Sequence, residues 1–413
     1  MGRTTRTSLL ILLAGMGLAA CSVNEVIKAD ETELKTTDQP PAEGLLLDIG
    51  IVEFDEDLPA DNDPDKTGVY PEIRAAESRY LPYHLKTTLQ DTGYWGAVRV
   101  IPSRKAFTDV TISGRIKESD GEFVTLAIRV EDAQGNEWYQ RDYSTQTGVS
   151  SYSEHRDRSQ DPYQKVFNDI ANDLRDYVKA LPPDRIHTIR QTSELEFFAD
   201  MSPEQFGDYI STDDDGHVTI VRLPAENDPA VARLRQIRER DRLVIDTLNE
   251  HYANFYYGIA IPYSAWRKSA REESVNYRQV RRSATMQTLM GAVIFAGALA
   301  ADTSDKSYHQ AQMKSSLQAI AMTEGFNTMM NGFSRRSESH MHLEAIKELS
   351  ESFGSEAAPM VVTVEGQTRR LTGTAAAQYE SWRRLLKEIY EAETGYPASE
   401  DAAGPVRVAE PSN

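Results

Sequence analysis

The chain has 413 residues, of which 40% are hydrophobic and 26% charged, with a net charge of −19 and a single cysteine. These values are ordinary for a globular protein of two or three domains, long enough to bury real hydrophobic cores. The acidic balance argues against nucleic acid as a ligand, and one cysteine excludes a disulfide within the chain.

The first residues have the pattern of a secretory leader. Two arginines precede an apolar run from Leu9 to Leu18, and two alanines then precede Cys21. A charged start, a short apolar segment and small residues at the cleavage site are typical of a signal peptide. The apolar run is too short to span a bilayer. The sequence therefore predicts that residues 1–20 are removed.

The end of this leader, Leu18-Ala19-Ala20-Cys21, resembles the lipobox of bacterial lipoproteins. The resemblance implies that Cys21 carries acyl chains that insert into the outer-membrane bilayer, where each buried methylene contributes about 0.8 kcal/mol. Ser22, in place of an aspartate, implies sorting to the outer membrane in that family. We therefore expect a lipid-anchored protein that faces the periplasm.

A flexible tether is expected to follow the lipidated cysteine, over residues 21–43. This stretch is polar, has no hydrophobic periodicity and ends near Pro40 and Pro41. Such a composition cannot bury enough apolar surface to fold alone. The tether gives the folded part of the chain reach away from the membrane.

Residues 44–183 predict one α+β unit, a small mixed or antiparallel sheet with flanking helices. The largely apolar run Leu45–Phe54 predicts a central strand buried on both faces. Pro71 opens a helix, which Pro82 is expected to kink or split. A second strand follows at Ala97–Ile101.

The rest of this unit predicts an antiparallel meander and a closing helix. Asp109–Ile116 and Val124–Val130 alternate apolar and polar residues, and Asp-Gly and Gly-Asn turns join them to a strand at Trp138–Tyr143. Pro162–Ala180 has apolar residues at helical spacing and is followed by two prolines.

This order of elements resembles the periplasmic module shared by the TolB amino-terminal domain, the curli secretion-channel lipoprotein and the lipoprotein activators of penicillin-binding proteins. The segment Asp109–Ile116, DVTISGRI, is the closest local match. The resemblance implies a protein-binding module in envelope assembly. The chain lacks the long paired hairpins of the curli channel, so no pore is expected.

Residues 184–229 are interpreted as a connector with some structure. Ser202 and Pro203 start a helix, and a turn at Asp213–Gly216 precedes a strand at His217–Val221. The turn resembles half of a calcium loop but lacks the spaced ligands and the final glutamate. No metal or cofactor is therefore expected.

Residues 230–395 predict a mainly α-helical domain with a short β-hairpin, and residues 396–413 a disordered tail. We recognise no family in this second domain. Its predicted elements are amphipathic helices at Val231–Tyr252 and Tyr263–Ala301, a third helix at Tyr308–Met330, a hairpin at Met360–Leu371 and a closing helix at Ala375–Glu393.

The uncharged segment Leu289–Ala301 is rich in small residues. Each glycine costs a helix about 1 kcal/mol relative to alanine, so packing must compensate. A buried helix is the simpler interpretation. The alternative is a close helix–helix contact at Gly291 and Gly297, between subunits or with a membrane partner.

Two further groups of side chains invite a functional interpretation. The arginines at 233–242 and 278–282 alternate with acids and predict solvated helix faces, or else a patch that meets an acidic partner or the chain's own acidic first half. His340 and His342 would share a face only on a strand, and the neighbourhood predicts a helix, so no metal site is expected.

The sequence contains no phosphate-binding loop, GxSxG, HExxH or cysteine nucleophile. We therefore expect a protein without enzymatic activity that works by contact with a periplasmic or envelope protein, as a cell-wall synthase regulator or secretion accessory. One alternative is an oligomeric component of an outer-membrane export complex. Another is a peptidoglycan hydrolase with an acidic pair, which no motif singles out.

Overall fold

A five-stranded mixed sheet forms the centre of the fold. The computed structural model describes residues 31–61, 67–153, 160–225, 227–300, 342–352, 360–364 and 367–395, without the side chains of 276, 277, 279–300, 363, 364, 367 and 368. The strands lie in the order β2-β1-β3-β4-β5. They are β1 (Ile49–Val52), β2 (Val98–Ile101), β3 (Val110–Ser119), β4 (Phe123–Asp132) and β5 (Glu137–Gln146).

The sheet is parallel on one side and antiparallel on the other. Strand β1 pairs in parallel with both β2 and β3, so that Ile49 lies between Val98 and Val110. Strands β3, β4 and β5 form the expected antiparallel meander. Ile49 and Ile51 are fully buried, as predicted for a central strand. The predicted α+β class is confirmed.

Helix α1 (Pro71–Asp91) runs through Pro82 as one element, so the expected split there is wrong. Proline has no N–H to donate to the carbonyl four residues earlier, which is that of Ser78. In this fold the Ser78 carbonyl instead accepts the backbone N–H of Phe54 at 2.9 Å. The Ser78 carbonyl, which Pro82 cannot pair within the helix, thus links α1 to the residues that follow β1.

Two helices follow the meander almost without interruption. Helix α2 (Gln164–Ala180) is the predicted closing helix, and α3 (Pro183–Met201) begins after Pro182 inside the predicted connector. The sequence does not reveal α3 because its buried residues lie around most of its circumference and give no single apolar stripe. They are Ile186, Ile189, Thr192, Ser193, Leu195, Phe197, Phe198 and Met201.

The remainder of the connector has the expected short helix, turn and second strand, together with a first strand that the sequence did not predict. A one-turn helix α4 (Pro203–Phe206) starts after Ser202. A small antiparallel hairpin, β6 (Ile210–Thr212) and β7 (Val218–Ile220), turns at the predicted position.

The longest element is α5 (Pro229–Ala300), a single helix of 72 residues. Two separate helices were expected from the sequence, with a break before Tyr263, and this expectation is wrong. The helix continues through Pro262. At 1.5 Å per residue it is about 108 Å long.

The last described elements agree with the sequence. A helical segment α6 (342–352) precedes the hairpin of β8 (Met360–Val364) and β9 (Gln367–Leu371), and α7 (Ala375–Thr394) closes the described chain. Thr374 caps α7 by accepting the N–H of Ala377. The predicted helix at 308–330 and the tail at 396–413 lie outside the described residues.

The first and last parts of the chain share their hydrophobic cores. One core joins the sheet, α1 and α2 to the middle of α5, through Phe255, Ile259, Tyr263 and Trp266. A second joins α3, α7 and the first third of α5. None of the helices, as far as the structure describes them, has an apolar stretch long enough to cross a membrane.

Candidate functional site

One face of α5 fastens the helix to the α+β unit through polar side chains. These residues, which we call the docking stripe, are three, four or seven positions apart and therefore share one side of the helix. They are Arg242, Asp246, Asn249, Tyr252, Tyr256, Tyr263, Arg267, Arg271, Ser274 and Arg278.

The first part of the docking stripe closes the β2 edge of the sheet. Asn249 accepts the N–H of Val100 at 2.9 Å and donates to the carbonyl of the same residue at 2.8 Å. Its carboxamide thus takes the place of a neighbouring strand. Arg99 donates two hydrogen bonds to Asp246, at 2.6 and 2.9 Å. Helix α5 therefore covers the β2 edge at Val100, where another chain would otherwise pair.

The opposite edge of the sheet is formed by β5. No strand pairs with its outer side in the part of the chain that the structure describes. Ten residues of extended backbone, Glu137–Gln146, line this edge, with Gln140, Arg141 and Asp142 exposed. Unpaired N–H and C=O groups along such an edge can receive a strand from a partner.

A buried ion pair holds the centre of the docking stripe. Arg267 donates to both carboxylate oxygens of Asp161, at 2.7 and 2.9 Å, and the two side chains are 1% and 3% exposed. Burial by itself raises the pKa of Asp161, but the Arg267 charge outweighs it and holds the pKa far below its usual range. The carboxylate is therefore ionised, and Tyr80 donates a further hydrogen bond to it.

A second buried carboxyl group lies beside this pair. Glu77 accepts hydrogen bonds from Ser119 at 2.5 Å and Tyr263 at 2.6 Å, and burial raises its pKa. The guanidinium of Arg267 lies 4.1 Å from the centre of the Tyr263 ring. Glu77 and Tyr263 are fully buried, so a substrate has no access to them. The cluster holds α1, β3 and α5 together.

His84 adds a neutral link between three helices. One ring nitrogen lies 2.7 Å from the hydroxyl of Tyr256 on α5, and the other lies 2.8 Å from the side-chain oxygen of Gln164 on α2. Burial lowers the pKa of His84. A neutral ring that donates to Gln164 and accepts from Tyr256 satisfies both contacts.

The carboxyl-terminal end of the docking stripe contacts the β3–β4 turn. Arg278 contacts Asp120 at 2.5 Å and Glu122 at 3.0 Å. Gly121 has a positive φ of 82°, and a Cβ there would lie 2.2 Å from the carbonyl oxygen of Arg267. Only glycine fits where this turn meets the helix backbone.

A charged cavity of about 350 Å³ lies between α3 and the start of α5. At its base, Arg238 donates to Ser193 at 2.6 Å, and Ser193 donates to Asp109 at 2.7 Å. Asp109 immediately precedes β3, so the cavity lies at the amino end of this strand. Ligands of parallel sheets usually bind at the opposite, carboxyl ends of the strands, so this cavity does not lie where the sheet would predict a ligand. The lining residues are Gly44, Asp109, His187, Arg190, Gln191, Glu194, Arg235, Arg238, Glu239 and Arg242.

An exposed group of possible metal ligands lies on the β6–β7 turn. Ligand atoms of Asp213, Asp215 and His217 lie within 4.8 Å of one another. Asp213 also accepts the backbone N–H groups of the other two residues, which lowers its pKa. These contacts are those of the predicted turn, and the absence of a metal site here remains a prediction.

Most of the residues that the sequence singles out for function lie outside the part of the chain whose side chains the structure describes. Cys21 and Ser22 lie outside the described residues. Gly291 and Gly297 lie on α5, where the structure describes the course of the backbone alone. His340 also lies outside the description, and His342 begins α6.

The arginine groups of α5 do more than face solvent. Arg242 pairs with Asp48 at 3.0 Å, and Arg278 with Asp120 at 2.5 Å. Arg238 is buried. The alternative interpretation, contact with the chain's own acidic first half, is confirmed for Arg242 and Arg278.

No protein-family model matches this chain, and neither the search of curated proteins nor that of solved structures finds a significant match. The interpretation of the site therefore depends on its own geometry.

Proposed function

We propose that this chain is a lipid-anchored protein of the outer membrane that faces the periplasm and acts by protein contact in envelope assembly. Acyl chains on Cys21 would hold it to the bilayer, and residues 22–30 would give the folded part reach. The tether predicted to extend to residue 43 is shorter than expected, because Asn168 and Asn172 on α2 hydrogen-bond the backbone of residues 32–35. The partner is a periplasmic or envelope protein, within cell-wall synthesis or secretion. The resemblance of the first unit to periplasmic binding modules supports this proposal.

The observation that carries the proposal is the difference between the two edges of the sheet. Asn249 and Asp246 close the β2 edge from α5. The β5 edge offers ten residues of extended backbone, and no strand pairs with it among the described elements. A partner segment in extended conformation would add to this edge through main-chain hydrogen bonds.

The anchor is tested by mass spectrometry of the mature amino terminus and by cell fractionation. We expect an acylated Cys21 and protein in the outer-membrane fraction, and Cys21→Ser should move the protein into the soluble fraction. An unmodified amino terminus together with soluble native protein would overturn the proposal.

The contact is tested with a photoreactive side chain placed at Gln140 on β5 in intact cells. Glu204 on α4 is an exposed control position away from the sheet edge. We expect discrete adducts with an envelope protein from position 140 and none from 204. Equal labelling at both positions, or none at 140, would contradict docking at the β5 edge. A ring of many subunits in detergent would instead favour an oligomeric export component.

A further inference from the structure

A second stripe of α5 faces solvent beside the docking stripe. We call it the outer stripe, and its members alternate at three and four residues, the spacing of a coiled-coil seam. All of its members are exposed: Leu243, Thr247, Glu250, Asn254, Tyr257, Ile261, Ser264 and Lys268.

The centre of the outer stripe is uncharged. No Asp, Glu, Lys or Arg occurs between Glu250 and Arg267. Tyr257 and Ile261 are 67% and 82% exposed, although they are large apolar side chains. Gly258 lies between them, and a Cβ built there would meet no atom within 4 Å. Large exposed apolar groups around a glycine mark a surface that another helix can approach closely.

The outer stripe is complementary to itself when one copy is reversed. A two-fold axis perpendicular to the helix, at the level of residue 259, places Tyr257 of one copy opposite Ile261 of the other. It likewise places Asn254 opposite Ser264. The same rotation places Glu250 opposite Lys268. Among the described residues, neither Glu250 nor Lys268 forms an ion pair within the chain.

We propose that two copies of this chain associate through the outer stripe of α5, with the helices antiparallel and the two-fold axis beside Gly258. The same surface then contributes to both sides of the contact, as in most symmetric dimers. Tyr257 of each copy packs on Ile261 of the other, and Glu250–Lys268 pairs close both ends. The contact extends over 18 residue steps, about 27 Å.

The charges select the antiparallel direction and a second copy as the occupant. In a parallel pair Glu250 would face Glu250 and Lys268 would face Lys268, and like charges repel. The segment 231–395 carries 21 basic and 19 acidic residues, so this part of the chain is close to neutral. The acidity that would oppose self-association lies in the first half of the chain.

Disulfide trapping of the full mature chain in detergent tests the geometry. A mixture of Glu250→Cys and Lys268→Cys chains should crosslink, whereas neither variant should crosslink alone, because equivalent positions then lie about 27 Å apart. Gly258→Cys should crosslink with itself. The unsubstituted chain and Asp184→Cys, an exposed position on α3, are the controls. Crosslinking of Lys268→Cys alone would show a parallel contact and overturn the proposal.

Light scattering across a concentration series tests the energetics. Glu250→Lys should weaken the dimer about tenfold, because two exposed pairs become repulsive, and Glu250→Lys with Lys268→Glu should restore it. A monomer at every concentration would overturn the proposal. This inference goes beyond the proposed function, and the two can fail independently. A dimer that binds no envelope partner would support the dimer alone, and a monomer that binds an envelope partner would support the proposed function alone.

Discussion

Asn249 on α5 hydrogen-bonds both the N–H and the C=O of Val100 on β2, 149 residues away in sequence. One side chain thereby satisfies the two backbone groups that an additional strand would otherwise pair with. Both residues are buried, so water cannot replace these bonds.

Asn249→Leu should therefore lower the free energy of unfolding by about 2–4 kcal/mol, since it leaves two buried backbone groups without partners. Urea denaturation followed by circular dichroism measures this loss. Arg240→Ala, an exposed change on the same helix, is the control and should stay within about 0.5 kcal/mol. A loss of similar size in both variants would contradict the role of Asn249 at the sheet edge.

Arg267→Met should lower the free energy of unfolding by about 3–5 kcal/mol, because it leaves the buried Asp161 carboxylate without its cation. Adding Asp161→Asn to that variant should recover much of the loss, since the uncompensated charge is then gone. Equilibrium unfolding of the single and double variants measures both effects. If the double variant were no more stable than Arg267→Met, the penalty would not come from the isolated charge.

Glu196 on α3 gives a prediction about pH. Burial raises its pKa from 4.5 to about 7. The folded state therefore binds this proton more tightly than the unfolded state, and the resulting stability is present below pH 4.5 and lost as the pH rises through 7.

Glu196→Gln removes that loss and should stabilise the protein at pH 8 by about 2 kcal/mol, with almost no effect at pH 4.5. Thermal unfolding at the two pH values measures the difference. Glu204→Gln, at an exposed site, should show no such contrast. An equal gain at both pH values would contradict a raised pKa at Glu196.

Gly121→Ala should destabilise the contact between the β3–β4 turn and α5. The residue has φ of 82°, and the added Cβ would lie 2.2 Å from a backbone oxygen of the helix. Backbone strain alone costs about 1–3 kcal/mol. Gly207→Ala is the matched control, since Gly207 has φ of −56° and nothing near its Cβ position. Hydrogen exchange should speed up around 119–123 in the first variant only.

The sequence predicts the sheet and its flanking helices well because each element carries its own local signal. Alternating residues and Asp-Gly turns locate β3, β4 and β5 within a few positions. Helix α3 lacks such a signal, because apolar and small polar residues are buried around most of its surface. A kink or split at Pro82 and a break before Tyr263 were expected, but both helices are continuous there. At Pro82 the carbonyl of Ser78, which proline cannot pair, accepts the N–H of Phe54 instead.

The docking stripe was not predicted, although its signal was present. Polar and tyrosine residues recur on one face from Arg242 to Arg278, and a helical period continued through Pro262 would have joined them. Their partners could not be predicted. Asp161 and Glu77 are two acids among 64, and only the fold shows which acids are buried beside Arg267.

Closure of the β2 edge from so far along the chain has a consequence for biogenesis. A chain synthesised from its amino terminus presents β2 long before the segment that covers it. Until residues 242–249 have been synthesised and have folded onto the sheet, both of its edges are unpaired. Long-range contacts of this kind form slowly. During that interval the N–H and C=O of Val100 are free to pair with another chain, a route to aggregation that contact with Asn249 later removes.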